Sequence, residues 1–282
     1  MSVTEVLPDD VALRVGRRQR VLAEMEAADV DILVVGREGN ARYVSGAPRL
    51  WTAGSRAFGP GCVLVRATAA VHLLSTWDEG IPDDIPRENL YGISFNSQNF
   101  LRVLRGIEGA DTARTGATDA LTPGTSFLLP KAFPAAELVD GEPLLRRARS
   151  VKTAEEVDAI RRAVQIAEQA LAVAEQALAP GVTERQLTGM FMEAMAAAGV
   201  TTPGGQDVAW ITSRERPWHR SSRDTAVAAG DLVAFEAGVV ANGYAGEVGR
   251  TSVVGDAPDA ADLFSRRNNL RTHQLDAGRP GA

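Results

Sequence analysis

Cysteine is nearly absent from this chain of 282 residues: Cys62 stands alone. No intramolecular disulfide is possible, and a cysteine-based zinc site is excluded. With no histidine near it in the pattern, Cys62 reads as a small buried hydrophobe rather than a nucleophile. Histidine is scarce too. His72, His219 and His273 are too few and too scattered to make a zinc triad. No run of about 18 apolar residues occurs, so no membrane-spanning helix is expected. The opening MSVTEVLPDD lacks a basic stretch followed by an apolar one, so no signal peptide is expected either. There is no basic excess. The formal net charge is −6, and the densest basic cluster (Arg14, Arg17, Arg18, Arg20) falls at helical spacing. Nucleic acid is therefore not an expected partner. A GxSxG elbow, a P-loop and a GxGxxG after a strand are all missing. These absences describe a soluble, cytoplasmic protein.

What is present is the composition of a globular chain, 45% hydrophobic and 23% charged, long enough for one large domain or two ordinary ones. Residues 11–28 place apolar side chains three and four apart and predict an amphipathic helix. VDILVVG predicts a buried strand, and NARYVSG a turn or short helix after it. GCVLVRA and AVHLLST are two more strand candidates joined near Ala69, and SFLLP is another. His72, within AVHLL, reads as a structural strand residue. Strands and helices alternating over the first ~140 residues predict an α/β domain with a mixed sheet. Pro130, Pro134 and Pro143 mark a boundary near residues 140–150.

The second region opens with helix signals. Thr153 followed by Glu156 is a capping-box pattern ahead of a long alanine-rich helix, and Pro180-Gly181 stops that helix. Thr183 with Gln186 starts a second helix in the same manner. DVAWITS predicts a strand, followed by the polar loop RERPWHRSSRD. LVAFEAGVV and YAGEVGRTSVV then predict a hairpin around Ala241-Asn242-Gly243. A last amphipathic helix, with His273 on it, covers 259–277. Its ending, QLDAGRPGA, repeats the helix–Pro-Gly pattern of ALAPGVTERQL and then stops.

Chemistry concentrates on the hairpin. Glu236 and Glu247 lie eleven residues apart and at similar distances from the turn, so they are expected on neighbouring strands, facing one another. Two carboxylates so close repel unless a cation or a proton is shared between them. Divalent metals favour such oxygen ligands. The alternative is ordinary: each glutamate points to solvent or pairs with an arginine, Glu247 with Arg250 or Arg223. His219 lies in the polar loop after Pro217 and Trp218, and loops at strand ends often carry catalytic groups.

Together these stretches resemble the pita-bread fold proteins of the M24 peptidase family, in its Xaa-Pro aminopeptidase, prolidase and creatinase branch. Arg149, Lys152, Glu156, Ile160, Arg161 and Ala163 fit the family's R-x-x-K-T/S-x-x-E-x-x-x-I-R-x-A stretch. His219, GDLV, FEAGVVANGY and GRT follow in its order and spacing. The resemblance implies an α/β (α+β) fold: a creatinase-type N-terminal mixed α/β domain over 1–145, then the first half of a pita-bread domain over 146–282, truncated. It implies hydrolysis of peptide C–N bonds, with His219 catalytic, Tyr244 and Arg250 at the substrate, and Glu236 and Glu247 as ligands of a divalent metal (Mn, Co or Zn). In metal-dependent members both positions are aspartate, and a later histidine and two glutamates complete a two-metal centre. Here each acid is one methylene longer, and Gly249 replaces a threonine. Two alternatives stay open: a metal-independent creatinase-like hydrolase acting on an amidine-like substrate, or a non-catalytic relative serving as a binding or dimerisation module. A homodimer and a small peptide substrate are the expected partners.

Overall fold

The computed structural model describes residues 11–47, 61–74, 80–92, 96–119, 127–213, 220–256 and 258–278. The chain divides into two compact units, with the boundary between Val157 and Asp158.

The first unit carries strands β1 (Ile32–Val35), β2 (Cys62–Val65), β3 (Val71–Leu74), β4 (Leu90–Tyr91), β5 (Thr115–Thr118) and β6 (Glu137–Asp140). Around them lie helices α1 (Val11–Ala27), α2 (Glu38–Ser45), α3 (Ser97–Arg105), α4 (Leu129–Ala132) and α5 (Glu142–Ser150). The strands form one sheet in the order β4-β3-β2-β1-β5-β6. It is mixed: β1, β2 and β3 run antiparallel in turn, whereas β1–β5, β5–β6 and β3–β4 are parallel. All four residues of β1 are buried. Leu33 and Val35 join one core with Met25, Val44 and Leu145; Ile32 and Val34 join another with Phe100, Leu104 and Phe133. A strand covered on both faces needs a continuous apolar run, and ILVV supplies it.

Buried Asp119, just beyond β5, fixes the start of α2. Its carboxylate accepts from the backbone N–H of Gly36 (2.6 Å) and Arg37 (3.2 Å) and from Asn40 Nδ2 (2.7 Å). The N-cap residue itself, Arg37, offers no side-chain acceptor, so the carboxylate just beyond β5 accepts from the backbone N–H groups at the helix entrance instead.

The expected strand SFLLP is not one. Phe127 and Leu128 form a turn, and α4 begins at Leu129 with Pro130 in its first turn. Proline lacks the N–H a ladder needs, and its fixed φ suits a helix start. Pro143 lies likewise in the first turn of α5, whose Leu144, Leu145 and Ala148 are buried in the first unit's core.

The second unit holds α6 (Ala154–Gln176, beginning just before the boundary), α7 (Glu184–Ala197), β7 (Ala209–Thr212), β8 (Leu232–Ala241), β9 (Tyr244–Val253) and α8 (Pro258–Ala277). Both capping boxes form. Thr153 N donates to Glu156 Oε2 (2.8 Å) while Glu156 N donates to Thr153 Oγ1 (3.2 Å), and Thr183 and Gln186 exchange the same pair of bonds. The sheet order is β7-β8-β9, all antiparallel. Asn242 (φ 50°) and Gly243 (φ 84°) turn β8 into β9. Two successive left-handed residues make a primed two-residue turn, which Asn-Gly forms at little steric cost.

One face of this sheet packs on helix. Ala163, Ala167, Ala170 and Ala174 of α6 and Leu187, Phe191 and Met195 of α7 bury against Val233, Phe235, Ala237, Val239 and Val248. Alanine along α6 lets the helix lie close. Closest of all is Gly246, where an added Cβ would meet the Ala163 carbonyl carbon at 2.3 Å and the Val164 nitrogen at 2.4 Å. The last helix differs from expectation: Phe264, Leu270 and Leu275 of α8 are exposed. Among the described residues no helix is long and apolar enough to cross a membrane.

The close approach of β9 to α6 gives a stability test. Gly246→Ala is expected to cost roughly 2–4 kcal/mol in chemical denaturation, because backbone on both sides must move. Gly249→Ala, three residues along the same strand, meets only the Phe235 carbonyl oxygen at 3.9 Å. It is expected to change stability by less than about 0.5 kcal/mol. Equal effects of the two substitutions would show that β9 does not lie on α6 as described.

Candidate active site

The register of the hairpin decides which of its side chains meet. Ala241 stands opposite Tyr244 across the turn, and further along Glu236 faces Gly249 and Glu247 faces Gly238. Glu236 and Glu247 are therefore diagonal neighbours on one face, not directly opposed as expected. They are still near enough to interact, since Glu236 raises the titration of Glu247. This is the face turned away from α6 and α7, and Glu236 is half-buried while Glu247 is exposed.

Tyr244 and Arg250 stand on the other face. Side chains alternate along a strand, so residues 244, 246, 248, 250 and 252 of β9 share the helix side. Tyr244 is buried. Arg250 reaches Glu168 of α6 at 3.4 Å, and Ser252 Oγ donates to Glu175 of α6 at 3.1 Å. The structure does not bring Tyr244 and Arg250 together with the two glutamates. Their expected place at the substrate has no geometric support from this face, and Arg250 pairs with a helix carboxylate instead.

The cation beside the acid pair is Arg220, which sequence reasoning did not single out. Its Nη1 donates to Glu236 Oε1 at 3.0 Å and lies 2.7 Å from Oε2 in an ion pair. The chain leaving Arg220 is held by a buried polar cluster. Ser222 N donates to Asp207 Oδ1 (3.1 Å), and Ser222 Oγ donates to the Ala209 carbonyl (2.6 Å) and lies 2.8 Å from Thr188 Oγ1. Buried Glu184, the first residue of α7, accepts from the backbone N–H of Ile211 (2.8 Å) and Arg223 (2.7 Å). One carboxylate thus ties β7 and the 220–223 segment to a helix N-terminus, where negative charge is favoured. A sequence signal existed only for Glu184, directly after a capping threonine. His219 lies outside the described residues, immediately before Arg220 in the chain.

Glu247 titrates above its ordinary value of 4.5. The hydrogen bond to Glu236 is the largest cause, then desolvation, then repulsion by the Glu236 charge, while Arg220 opposes the shift. Two carboxyl groups in hydrogen-bond contact share a proton or repel.

The family's metal can be tested against these residues. Mn, Co and Zn ions take about four to six donors. The acid pair supplies two side chains, and no group of three His, Cys, Asp or Glu suited to a metal exists among the described residues. A guanidinium already covers both oxygens of Glu236. As arranged, the described residues do not fit a dinuclear centre.

A pH test follows from Glu247. A carboxyl raised in the folded state binds more protons there than in the unfolded chain, so its favourable contribution is complete at low pH and fades as pH rises through the raised value. The melting temperature of Glu247→Gln minus that of the wild type is expected to grow from about pH 4 to pH 7. A difference flat across that range would mean the two carboxyl groups do not interact.

Comparison with known proteins covers both units. Residues 17–151 match the profile of the creatinase/prolidase N-terminal domain, and residues 158–282 that of metallopeptidase family M24. An Xaa-Pro dipeptidase from Pyrococcus horikoshii is 23% identical over 265 residues, which cover 93% of this chain and 71% of that protein. An Xaa-Pro dipeptidase from Pyrococcus furiosus is 25% identical over 139 residues, 49% of this chain and 40% of that protein. Among solved structures, the prolidase of P. horikoshii superposes with a TM-score of 0.67 at 18% identity, covering 86% of this chain and 66% of the prolidase. The X-Pro aminopeptidase of Thermotoga maritima gives 0.67 at 17% identity, covering 86% and 67%. The chain thus spans about two thirds of the length of these solved structures and shares their fold. It belongs to metallopeptidase family M24, in the branch whose catalytic fold follows a creatinase/prolidase N-terminal domain.

Proposed function

We propose that the protein acts as a hydrolase of peptide C–N bonds of the Xaa-Pro dipeptidase and aminopeptidase P type. The observation that carries this reading is the match to an Xaa-Pro dipeptidase across both units, over 93% of this chain. The placement of an acid pair on the sheet face turned away from α6 and α7 agrees with it. The creatine-like alternative draws no support from the two Pyrococcus relatives, both of which bear the name Xaa-Pro dipeptidase.

In this reading a short peptide lies over the open face of β8 and β9. A carboxylate of the Glu236–Glu247 pair takes the proton of the attacking water, which is general-base work. His219 stabilises the oxyanion of the tetrahedral intermediate. Tyr244 and Arg250 act through the hairpin, by packing β9 on α6, and not by touching substrate. The cofactor this reading calls for is Mn, Co or Zn. Such an ion needs donors beyond the described residues and the release of Glu236 from Arg220. A homodimer in the cytoplasm belongs to the same reading, and sedimentation measures the association directly.

The test is hydrolysis of an Xaa-Pro dipeptide against the matching Xaa-Ala dipeptide, with added Mn, Co or Zn and with chelator. Preference for the Xaa-Pro substrate is expected. His219→Ala and Glu247→Gln are each expected to lower kcat by about 10²- to 10³-fold. Cleavage that ignores the proline, or persists in both variants, would remove the proposal.

A further inference from the structure

The family's metal and this chain's side chains disagree at one point, and that point is Arg220. Charge counting states the problem. When both carboxylates are ionised, Glu236 and Glu247 bring two negative charges to the open face, and Arg220 returns one positive charge. The remainder matches a single positive charge and falls short of a divalent ion. Geometry agrees with the count. One nitrogen of Arg220 lies within hydrogen-bond distance of both oxygens of Glu236, at 2.7 and 3.0 Å. An ion seeking Glu236 meets a carboxylate with one oxygen already accepting a charge-assisted hydrogen bond and the other in ion-pair contact with the same nitrogen. An ion that does bind sits beside a guanidinium that never loses its charge. Nor is Arg220 on a loose tether. Two residues on, Ser222 is pinned to Asp207 and Ala209, and Arg223 N donates to buried Glu184. The guanidinium is therefore delivered to Glu236 by the fold.

We propose that Arg220 is an internal competitor for divalent metal at the Glu236–Glu247 pair, holding Glu236 in an ion pair that a metal must break in order to bind. Arg220 is a positioning residue in this role, because it acts through the carboxylate it holds. Metal occupancy of the acid pair is then set by competition: whatever draws Arg220 away from Glu236 raises the affinity for the ion. An anionic ligand on the open face is the simplest such agent, since it offers the guanidinium another partner.

The experiment is equilibrium binding of Mn²⁺ to the full chain, read from the electron paramagnetic resonance signal of the free ion. It is independent of the peptidase reading, because ion binding is measured and activity is not. Four proteins decide it: wild type, Arg220→Lys, Arg220→Ala, and Arg220→Ala combined with Glu236→Gln. Arg220 is half exposed, with 55% of its side chain accessible, so its removal is not expected to unfold the chain. A melting curve of each variant confirms that. Arg220→Ala is expected to bind Mn²⁺ at least tenfold more tightly than wild type. Arg220→Lys, which keeps the charge, is expected to stay close to wild type. The added Glu236→Gln is expected to abolish the gain. Three outcomes would overturn the proposal. Arg220→Ala binding no more tightly than wild type would mean that the guanidinium does not compete. Arg220→Lys gaining as much as Arg220→Ala would mean that charge is not the cause. A gain that survives Glu236→Gln would mean that the ion binds elsewhere.

Discussion

A two-residue turn determines which hairpin side chains can meet. Asn242 and Gly243 both adopt positive φ, which forces Ala241 to pair with Tyr244 and fixes every later pair of the ladder. A one-residue slip would exchange the two faces of β9. Glu247 would then turn toward the helices, and Val248 would leave the core. The cost of exposing Val248 and burying a carboxylate holds the register, and the register holds the acid pair. The polar face is therefore a consequence of the apolar one, where Val239, Ala237 and Phe235 alternate with the outward residues.

The apolar face has its own constraint. The four small alanines of α6 lie against the sheet, and Gly246 meets the helix backbone with no room for a Cβ. Close packing on one side makes the strand a rigid platform for the other. Glu247 is the next residue after Gly246, so its backbone is placed by that contact. Arg220 is placed by different means, through hydrogen bonds that Ser222 and Glu184 make to β7, to the chain around them and to α7. Each of the three charged groups is therefore carried by a segment fixed from behind, by packing or by buried polar bonds.

Local signals were legible in the sequence, and pairings between distant segments were not. Both capping boxes, the Asn-Gly turn, the buried ILVV strand and the alanine-rich helix rest on short patterns whose physics is local. β5 was missed because Thr-Gly-Ala-Thr has no apolar run; it is a strand because β1 and β6 flank it. Phe127 and Leu128 read as strand because Pro130, two residues on, was given too little weight. The faces of Tyr244 and Arg250 follow from counting by twos from the turn, a step that family resemblance bypassed. Arg220 carried no signal at all, since an arginine in an arginine-rich loop shows its partner only when β8 is brought beside it. Asp119 is the same case in the first unit, a helix cap supplied 82 residues along the chain from the donor it serves at Arg37.

The longer acids and Arg220 are best understood as one arrangement. Diagonal neighbours across an antiparallel pair lie about 7–8 Å apart at their backbones, farther than directly opposed ones. Two aspartates at these positions have short side chains and leave a gap between their carboxylates, which a bridging cation fills. Glutamate adds a methylene to each, about 1.5 Å of reach per side chain. That extra length brings Glu247 near enough to Glu236 for the neighbouring carboxyl group to raise its titration. Closeness brings repulsion once both groups are ionised, and that repulsion is relieved by a partner of opposite charge. Arg220 supplies it on the Glu236 side. Longer acids that close the gap and a guanidinium that neutralises one of them are mutually dependent. Shortening the acids alone would leave Arg220 without its reach, and removing Arg220 alone would leave two neighbouring carboxylates without a counter-charge.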